Sequence, residues 1–166
     1  MIPAPRPADE PDRLSALREL LLLDTPPEQR FDRIVQFVAD EFDMPIVLLS
    51  LVDANRQWFK ARVGFDACES ARDVSFCGHA IVGRDLFVIE DARVDERFAD
   101  NPMVTGPASV RFYAGAPLHL SDTGSAVGTL CLIDTQPRRL DRLERAILGS
   151  LRDLAVDELL TQDRHA

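Results

Sequence analysis

The sequence has few of the residues that mark several common classes of protein. Among its 166 residues are one lysine, 3 cysteines and 3 histidines. The net charge is −9, and the arginines are scattered among acidic residues. A nucleic-acid-binding protein uses a basic face to neutralise phosphates, and this sequence predicts no such face. Nucleic acid is therefore not an expected partner.

Long apolar runs are also missing. No stretch approaches the ~18–20 apolar residues that cross a bilayer. The first ten residues, M-I-P-A-P-R-P-A-D-E, carry prolines and acids where a signal peptide has an apolar run. An odd number of cysteines fits reduced thiols in a reducing compartment. We predict a cytoplasmic protein that does not contact a membrane.

What the sequence does contain is enough apolar material, 46%, for one core. The prolines near the start predict a flexible leader over residues 1–11. Residues 12–162 then form a single domain, and residues 163–166 a tail. We identify no internal repeat and no boundary inside the domain.

Helices are predicted near both ends of the domain. A first helix covers Asp12–Leu23. A second begins at Pro26, since Thr25 as cap and Glu28 three residues later make a capping box with proline in the first turn. A last helix covers residues 140–160. One apolar stripe of that helix is Leu143, Ile147, Leu151, Leu154 and Ala155, and the other is Leu148, Val156 and Leu159. The second stripe is either a dimer seam or a contact with the first helix.

The strands form two predicted hairpins. Residues 45–53 are a continuous apolar run, typical of a strand covered on both faces. Residues 57–63 alternate, with Trp58, Lys60 and Arg62 on the side facing water. A short strand covers residues 86–90, and a second hairpin pairs residues 110–120 with 126–134. Tight turns imply an antiparallel sheet, and the fold class is α+β.

The stretch V-S-F-C-G-H-A-I, residues 74–81, is the most distinctive motif. Ser75 predicts the cap of a short helix ending near Val82. Cys77 and His79 then lie about 200° apart around that helix, which disfavours a shared metal ion. Proximity to the helix start would lower the pKa of the Cys77 thiol. The motif is otherwise explained by packing: Phe76 faces the sheet, Gly78 permits close approach, and Cys77 is a small buried residue.

Five blocks together resemble the GAF domains of bacterial signalling proteins, such as those that precede histidine-kinase or cyclic-dinucleotide cyclase modules. The blocks are L-L-D-T-P-P-E-x-R-F-D, S-F-C-G-H-A-I, V-I-E-D-A-R-x-D-x-R-F-A-D-N-P, R-F-Y-A-G-A-P-L and G-T-L-C-L-I-D. This resemblance implies a central antiparallel sheet with terminal helices on one face and a ligand pocket, built from loops and a short helix, on the other. Fold alone does not choose the ligand.

The pocket predicted from this resemblance has seven candidate residues. Asp91 follows a strand that would aim it at the pocket, and Arg111 is the candidate for a bidentate bond to a carboxylate or phosphate. Arg111 could instead pair with an acid of the preceding loop, while Arg93 and Arg97 are expected to pair with neighbouring acids. The full set is Phe76, Cys77, His79, Asp91, Phe98, Arg111 and Tyr113.

Three functions follow from these observations. The leading one is a non-enzymatic sensory domain that binds an unidentified small molecule and relays to a signalling output, with its terminal helices forming a homodimer. No catalytic set of residues is complete, and no cofactor or metal is specified. The second is a redox enzyme similar to free methionine-(R)-sulfoxide reductase, using Cys77 and Cys68. The third is a dimerisation module without a ligand.

Overall fold

The computed structural model describes residues 1–122 and 124–161. Its helices are α1 (Glu10–Glu19), α2 (Gln29–Phe42), α3 (Phe76–Ala80), α4 (Pro102–Thr105) and α5 (Arg142–Leu160), with a 3-10 turn at Ala92–Val94. Its strands are β1 (Ile46–Val52), β2 (Arg56–Val63), β3 (Glu69–Ala71), β4 (Phe87–Ile89), β5 (Phe112–Pro117) and β6 (Gly128–Asp134). The strands form one antiparallel sheet in the order β3-β2-β1-β6-β5-β4. The α+β prediction and both hairpins are confirmed.

The middle of the sheet is covered on both faces, as the apolar run of residues 45–53 predicted. Val47 and Leu49 of β1 belong to one hydrophobic cluster, and Leu48 between them belongs to another. Side chains alternate between the faces of a strand, so a strand apolar at every position needs two cores. β6 is likewise buried along its whole length.

One core lies between the sheet and the terminal helices. Phe31, Val35 and Val38 of α2 pack there with Leu148 and Leu151 of α5. Arg30 joins the two helices, since its Nη1 donates to the carbonyl oxygens of Glu158 and Thr161. The terminal helices therefore cover one face of the sheet, and the opposite face remains for α3, α4 and the 3-10 turn.

The capping box predicted at Thr25 is wrong. α2 begins at Gln29, after Glu28 in an extended conformation, and its first turn has no side-chain cap. A residue that precedes a proline disfavours helical geometry, and Pro26 precedes Pro27. The Thr25 hydroxyl donates instead to the carbonyl oxygen of Leu22.

The prediction that Trp58 and Lys60 face water is also wrong. Trp58 is 8% exposed, and Lys60 is 2% exposed. Lys60 lies at an irregularity in the pairing of β1 with β2, where the register skips it. Its Nζ lies 2.7 Å from the Glu28 carboxylate and donates to Thr25 Oγ1 and the Pro26 carbonyl. An acidic partner thus makes an interior position compatible with a charge, which alternation alone does not reveal.

The last helix buries a different set of residues from the first stripe predicted for it. The buried face contains Leu148, Leu151, Ala155 and Leu159. From the first predicted stripe, Leu143 is 69% exposed and Leu154 is 59% exposed. The helix starts with a capping box between Asp141 and Glu144, two residues after the predicted start.

Other boundaries shift by a few residues. α1 ends at Glu19 and not at Leu23, because Leu21 and Asp24 have left-handed backbone angles of φ 56° and φ 61°. Strand β3 and helix α4 lie in stretches without helical or strand periodicity. β5 ends at Pro117, and β6 begins at Gly128, so the second hairpin is shorter than predicted.

The segment predicted as a leader makes specific contacts with the domain. Ala4 is buried, and its backbone N–H donates to the carbonyl oxygen of Asp73. The Ile2 N–H donates to the carbonyl oxygen of Arg97, and the N-terminal amine pairs with Asp100. Residues 1–9 therefore run along the α3 side of the molecule. The predicted tail, residues 163–166, lies outside the described residues.

In the part of the chain that the structure describes, no helix combines the length and apolar character needed to cross a bilayer.

The buried Lys60 gives a stability prediction. Lys60→Met removes the cation that pairs with Glu28 Oε2 and donates to Thr25 Oγ1 and the Pro26 carbonyl, while Arg30 still bonds Glu28 Oε1. We expect the free energy of unfolding to fall by about 1–3 kcal/mol, as for hydrogen bonds to charged groups. Urea denaturation followed by circular dichroism measures it. Arg62→Met, on the same strand but exposed, is the control, with an expected change within about 0.5 kcal/mol. Equal losses in the two variants would contradict the buried pair.

Candidate functional site

A cavity of about 410 Å³ lies between α3 and the face of the sheet opposite the terminal helices. Its wall comes from the strands, from the loop after β2, from α3 and from the α4 segment. The lining residues are Ile46, Leu48, Gln57, Phe59, Gly64, Phe65, Asp66, Ala67, Val74, Ser75, Phe76, Cys77, Met103, Ala108, Val110, Tyr113 and Ile133. Most are apolar. Asp66 is the one charged side chain among them.

The predicted cap places α3 over this cavity. Ser75 Oγ accepts a hydrogen bond of 2.9 Å from the Gly78 N–H and donates to the carbonyl oxygen of Arg72 at 2.6 Å. Ser75 is extended and starts the helix at Phe76. The role predicted for Gly78 is also confirmed, because a Cβ there would lie 2.6 Å from the Ala4 Cβ. This local geometry turns Phe76 and Cys77 toward the sheet.

Tyr113 reaches the same place from β5. Its ring lies along the strand over Gly115, where an added Cβ would sit 2.3 Å from the Tyr113 hydroxyl. Glycine two residues further on the same face therefore gives the ring its room. The hydroxyl lies 3.2 Å from Cys77 Sγ, to which it donates. The A-G-A spacing after Tyr113 thus positions the only tyrosine of the chain.

Cys77 is surrounded by donors. Its sulfur lies 3.1 Å from Thr129 Oγ1 and 3.9 Å from the sulfur of Cys131 on β6. Burial by itself raises the pKa of a thiol, but hydrogen bonds with Cys131, Thr129 and Tyr113 outweigh it and lower the pKa of Cys77 to about 7. Burial, followed by the neighbouring Cys77, raises the pKa of Cys131. The pKa of Cys77 is therefore lower than that of its neighbour Cys131.

His79 and Phe98 belong to a neighbouring aromatic cluster and not to the cavity wall. Phe98 is fully buried and stacks on Phe76 with ring centroids 4.2 Å apart. His79 packs edge-on against Phe98 at 4.7 Å, and its Nε2 donates to the Ile2 carbonyl oxygen at 3.0 Å. Phe98 thus packs against the Phe76 ring of α3, and His79 joins α3 to the start of the chain.

Asp91 and Arg111 bond to groups close to them in the chain. The Asp91 carboxylate caps the 3-10 turn and pairs with Arg93 at 2.8 Å. Asp95 pairs with Arg97 in the same way at 2.7 Å, so the predicted local ion pairs are confirmed. Arg111 Nη1 donates to the carbonyl oxygens of Val104 and Val110. Neither Asp91 nor Arg111 lines the cavity.

Three of the seven predicted residues, Phe76, Cys77 and Tyr113, therefore meet at the cavity. The residues that the sequence reasoning missed are mainly apolar ones from strands and loops, including Gln57, Phe59, Phe65, Met103 and Ala108. Phe65, Met103 and Ala108 lie in two stretches without periodicity, 64–75 and 91–110, whereas Gln57 and Phe59 lie on β2. Among the described residues, no group of three or more His, Cys, Asp or Glu side chains is arranged to hold a metal ion.

The comparisons with known proteins agree with this architecture. The model of the GAF domain family matches residues 26–159, and the chain belongs to that family. A cyclic di-GMP phosphodiesterase of Pseudomonas aeruginosa is 42% identical over 138 residues, which are 83% of this chain and 23% of that protein. The chain thus spans about a quarter of the length of this curated relative.

Solved structures share the fold at low identity. The GAF domain of a phosphoenolpyruvate-protein phosphotransferase from Coxiella burnetii has a TM-score of 0.65 at 15% identity, covering 92% of this chain and 95% of that one. A type II free methionine-R-sulfoxide reductase from Thermoplasma acidophilum has a TM-score of 0.64 at 16% identity, covering 86% and 94%. These identities carry the fold and not the activity, since one fold hosts sensors and enzymes alike.

The environment of His79 predicts a pH dependence. Burial lowers the pKa of His79, partly offset by its bond to the Ile2 carbonyl; Arg97 lowers it further, and Asp95 raises it. The unfolded chain then binds the proton more tightly, so stability falls as pH drops through the unfolded value of about 6.5. We expect His79→Gln to lose less stability than the native chain between pH 7.5 and 5.5 in urea titrations. Equal losses would show that His79 contributes nothing to the pH dependence.

Proposed function

We propose that this chain is a non-enzymatic sensory domain that binds a small uncharged molecule in the cavity between the sheet and α3. The observation that carries the proposal is the cavity itself, about 410 Å³ with a mainly apolar wall. That volume lies in the range of about 300–1,000 Å³ typical of small-molecule sites. A few polar groups, such as Gln57 and the Tyr113 hydroxyl, are present to orient a ligand.

The charge of the wall argues for a neutral ligand. Among the described residues, no lysine or arginine lines the cavity, and Asp66 would repel an anion. Arg111, the predicted anion binder, already donates to two carbonyl oxygens. An anionic phosphate or carboxylate buried without a cation or several donors is strongly disfavoured. Nucleotides are therefore not the ligand that this cavity favours.

The similarity to a cyclic di-GMP phosphodiesterase supports a regulatory role. Because the chain matches only 23% of that protein, the shared region is a module of it. We infer that this domain regulates an output of cyclic-dinucleotide signalling in the cytoplasm. Cyclic di-GMP carries two phosphates and does not suit a cavity wall without a cation. We therefore expect it to act at the signalling output and not in this cavity.

The alternative of a sulfoxide reductase that uses Cys77 and Cys68 has less support. Cys68 is exposed, whereas Cys77 is buried, and the sulfur within hydrogen-bonding range of Cys77 is that of Cys131. A turnover assay with free methionine sulfoxide and a thiol reductant decides it. Turnover that Cys68→Ser abolishes would favour the enzyme over the sensor.

Ligand binding is testable by thermal unfolding with uncharged aromatic compounds, indole among them. A compound at ten times its Kd adds about 1.4 kcal/mol of stability and should raise the Tm by about 3–5 °C. Ala108→Trp fills the cavity and should abolish the shift, while Ala99→Trp, on an exposed position, should retain it. Stabilisation by cyclic di-GMP, with none by the neutral compounds, would overturn the proposed ligand class.

Dimerisation through the terminal helices remains part of the proposal, with a second copy of this chain as the partner. α2 and α5 pack beside each other and leave Phe37, Leu143 and Leu154 more than half exposed. Large apolar side chains in this arrangement are a typical subunit contact. In the dimer, α2 and α5 of one copy would lie beside the same helices of the second copy, related by a two-fold axis.

The double variant Leu143→Glu/Leu154→Glu should convert a dimer into a monomer, because it places charges in the seam. Size-exclusion chromatography with light scattering measures the mass in solution. Val94→Glu, at an 82% exposed position on the 3-10 turn, is the control and should remain dimeric. A monomeric native chain at high concentration would refute the seam.

A further inference from the structure

Two buried thiols meet at the floor of the cavity. Cys77 comes from α3 and Cys131 from β6, 54 positions later, and their sulfurs are 3.9 Å apart. Free cysteines are commonly buried singly as small apolar residues. Here the pair is held in place from both sides, since Leu48 of β1 pairs with Cys131, and Thr129 and Tyr113 donate to Cys77.

The two thiols differ in their access to small molecules. Cys77 contributes to the cavity wall, whereas Cys131 does not. Their exposures are 2% and 0%, so a large reagent reaches neither. A small molecule inside the cavity meets the Cys77 sulfur first, and Cys131 lies directly behind it.

We propose that Cys77 is a modification site for small hydroperoxides, with Cys131 as the thiol that resolves it to an intramolecular disulfide. Cys77 is the attacking thiol because it is the one that lines the cavity and the one to which Thr129 and Tyr113 both donate. Those donors stabilise a thiolate, the reactive form of cysteine. Cys68, the exposed cysteine, takes no part.

The chemistry balances with a hydroperoxide, ROOH, as the only oxidant. The Cys77 sulfur attacks the terminal oxygen, an S–O bond forms, the O–O bond breaks, and the alkoxide leaves as ROH with the thiol proton. The Cys131 sulfur then attacks the sulfenic sulfur of Cys77, so that an S–S bond forms and the S–O bond breaks. The hydroxide leaves as water with the Cys131 proton. Each disulfide consumes one ROOH and releases one ROH and one water.

The disulfide would change the shape of the cavity. An S–S bond is about 2.05 Å long, so the sulfurs must approach by roughly 1.9 Å and draw α3 toward β6. Thr129 and Tyr113 then lose the thiolate that accepts their hydrogen bonds, and buried hydroxyls without an acceptor are destabilising. Oxidation would thereby change the position of Phe76 and of the other cavity-lining residues of α3.

The experiment uses the full chain with Cys68→Ser, which removes the exposed thiol and leaves the interior unchanged. The reduced protein is treated with hydrogen peroxide or tert-butyl hydroperoxide, then denatured and alkylated for intact mass and peptide mapping. We expect both remaining thiols to be lost together, with a mass lower by two hydrogen atoms and a Cys77–Cys131 peptide. In the native chain, this loss should precede oxidation of Cys68.

Single-thiol variants separate the two roles. In Cys68→Ser/Cys131→Ala, oxidation should stop at a sulfenic acid on Cys77, one oxygen heavier and trapped by a 1,3-dione. In Cys68→Ser/Cys77→Ala, Cys131 should stay reduced. The proposal is overturned if Cys68→Ser keeps both thiols under peroxide that fully oxidises Cys68 in the native chain. It is also overturned if Cys77 gains oxygen while Cys131 remains free. Both of these outcomes are read on Cys68→Ser itself, whose exposed substitution does not disturb folding.

Discussion

The register between β1 and β6 is the constraint on which the other features depend. Leu49 pairs with Leu130 and faces the helices, whereas Leu48 pairs with Cys131 and faces the cavity. A slip by one residue would exchange these faces and move every side chain into the wrong layer. Since both strands are buried on both sides, such a slip would disrupt two cores at once. The cavity and the helical layer are therefore specified together.

The sequence predicted the parts of the fold that rest on apolar periodicity. The apolar run of residues 45–53 indicated a strand between two cores, and Ser75 indicated the start of α3. It failed where a distant partner or a neighbouring ring changed the outcome. Pro27 prevented a helix start at Pro26, and Glu28 made a buried position suitable for Lys60. Local patterns do not contain the pair of Glu28 and Lys60, because it joins residues far apart in the chain, whereas the effect of Pro27 is local and outweighed the capping pattern.

The candidate site divides in the same way. Phe76, Cys77 and Tyr113 line the cavity because their positions follow from a helix cap and a strand direction. Asp91 and Arg111 were chosen for their charge. Asp91 forms an ion pair with Arg93, and Arg111 donates hydrogen bonds to backbone carbonyls nearby. A charged residue near a cavity need not face it. The actual wall is mainly apolar, and apolar residues in loops give little sequence signal.

The first four residues have an importance that their position at the chain start does not indicate. Ala4 rests on Gly78, the Ile2 carbonyl accepts from His79, and the N-terminal amine pairs with Asp100. The helix that closes the cavity is thus itself overlaid by the start of the chain. Removing these residues would expose the outer side of that helix to solvent. Acetylating the amine would remove the positive charge that pairs with Asp100 and helps to keep the first residues in place. An affinity tag is accordingly better attached after α5 than before Met1.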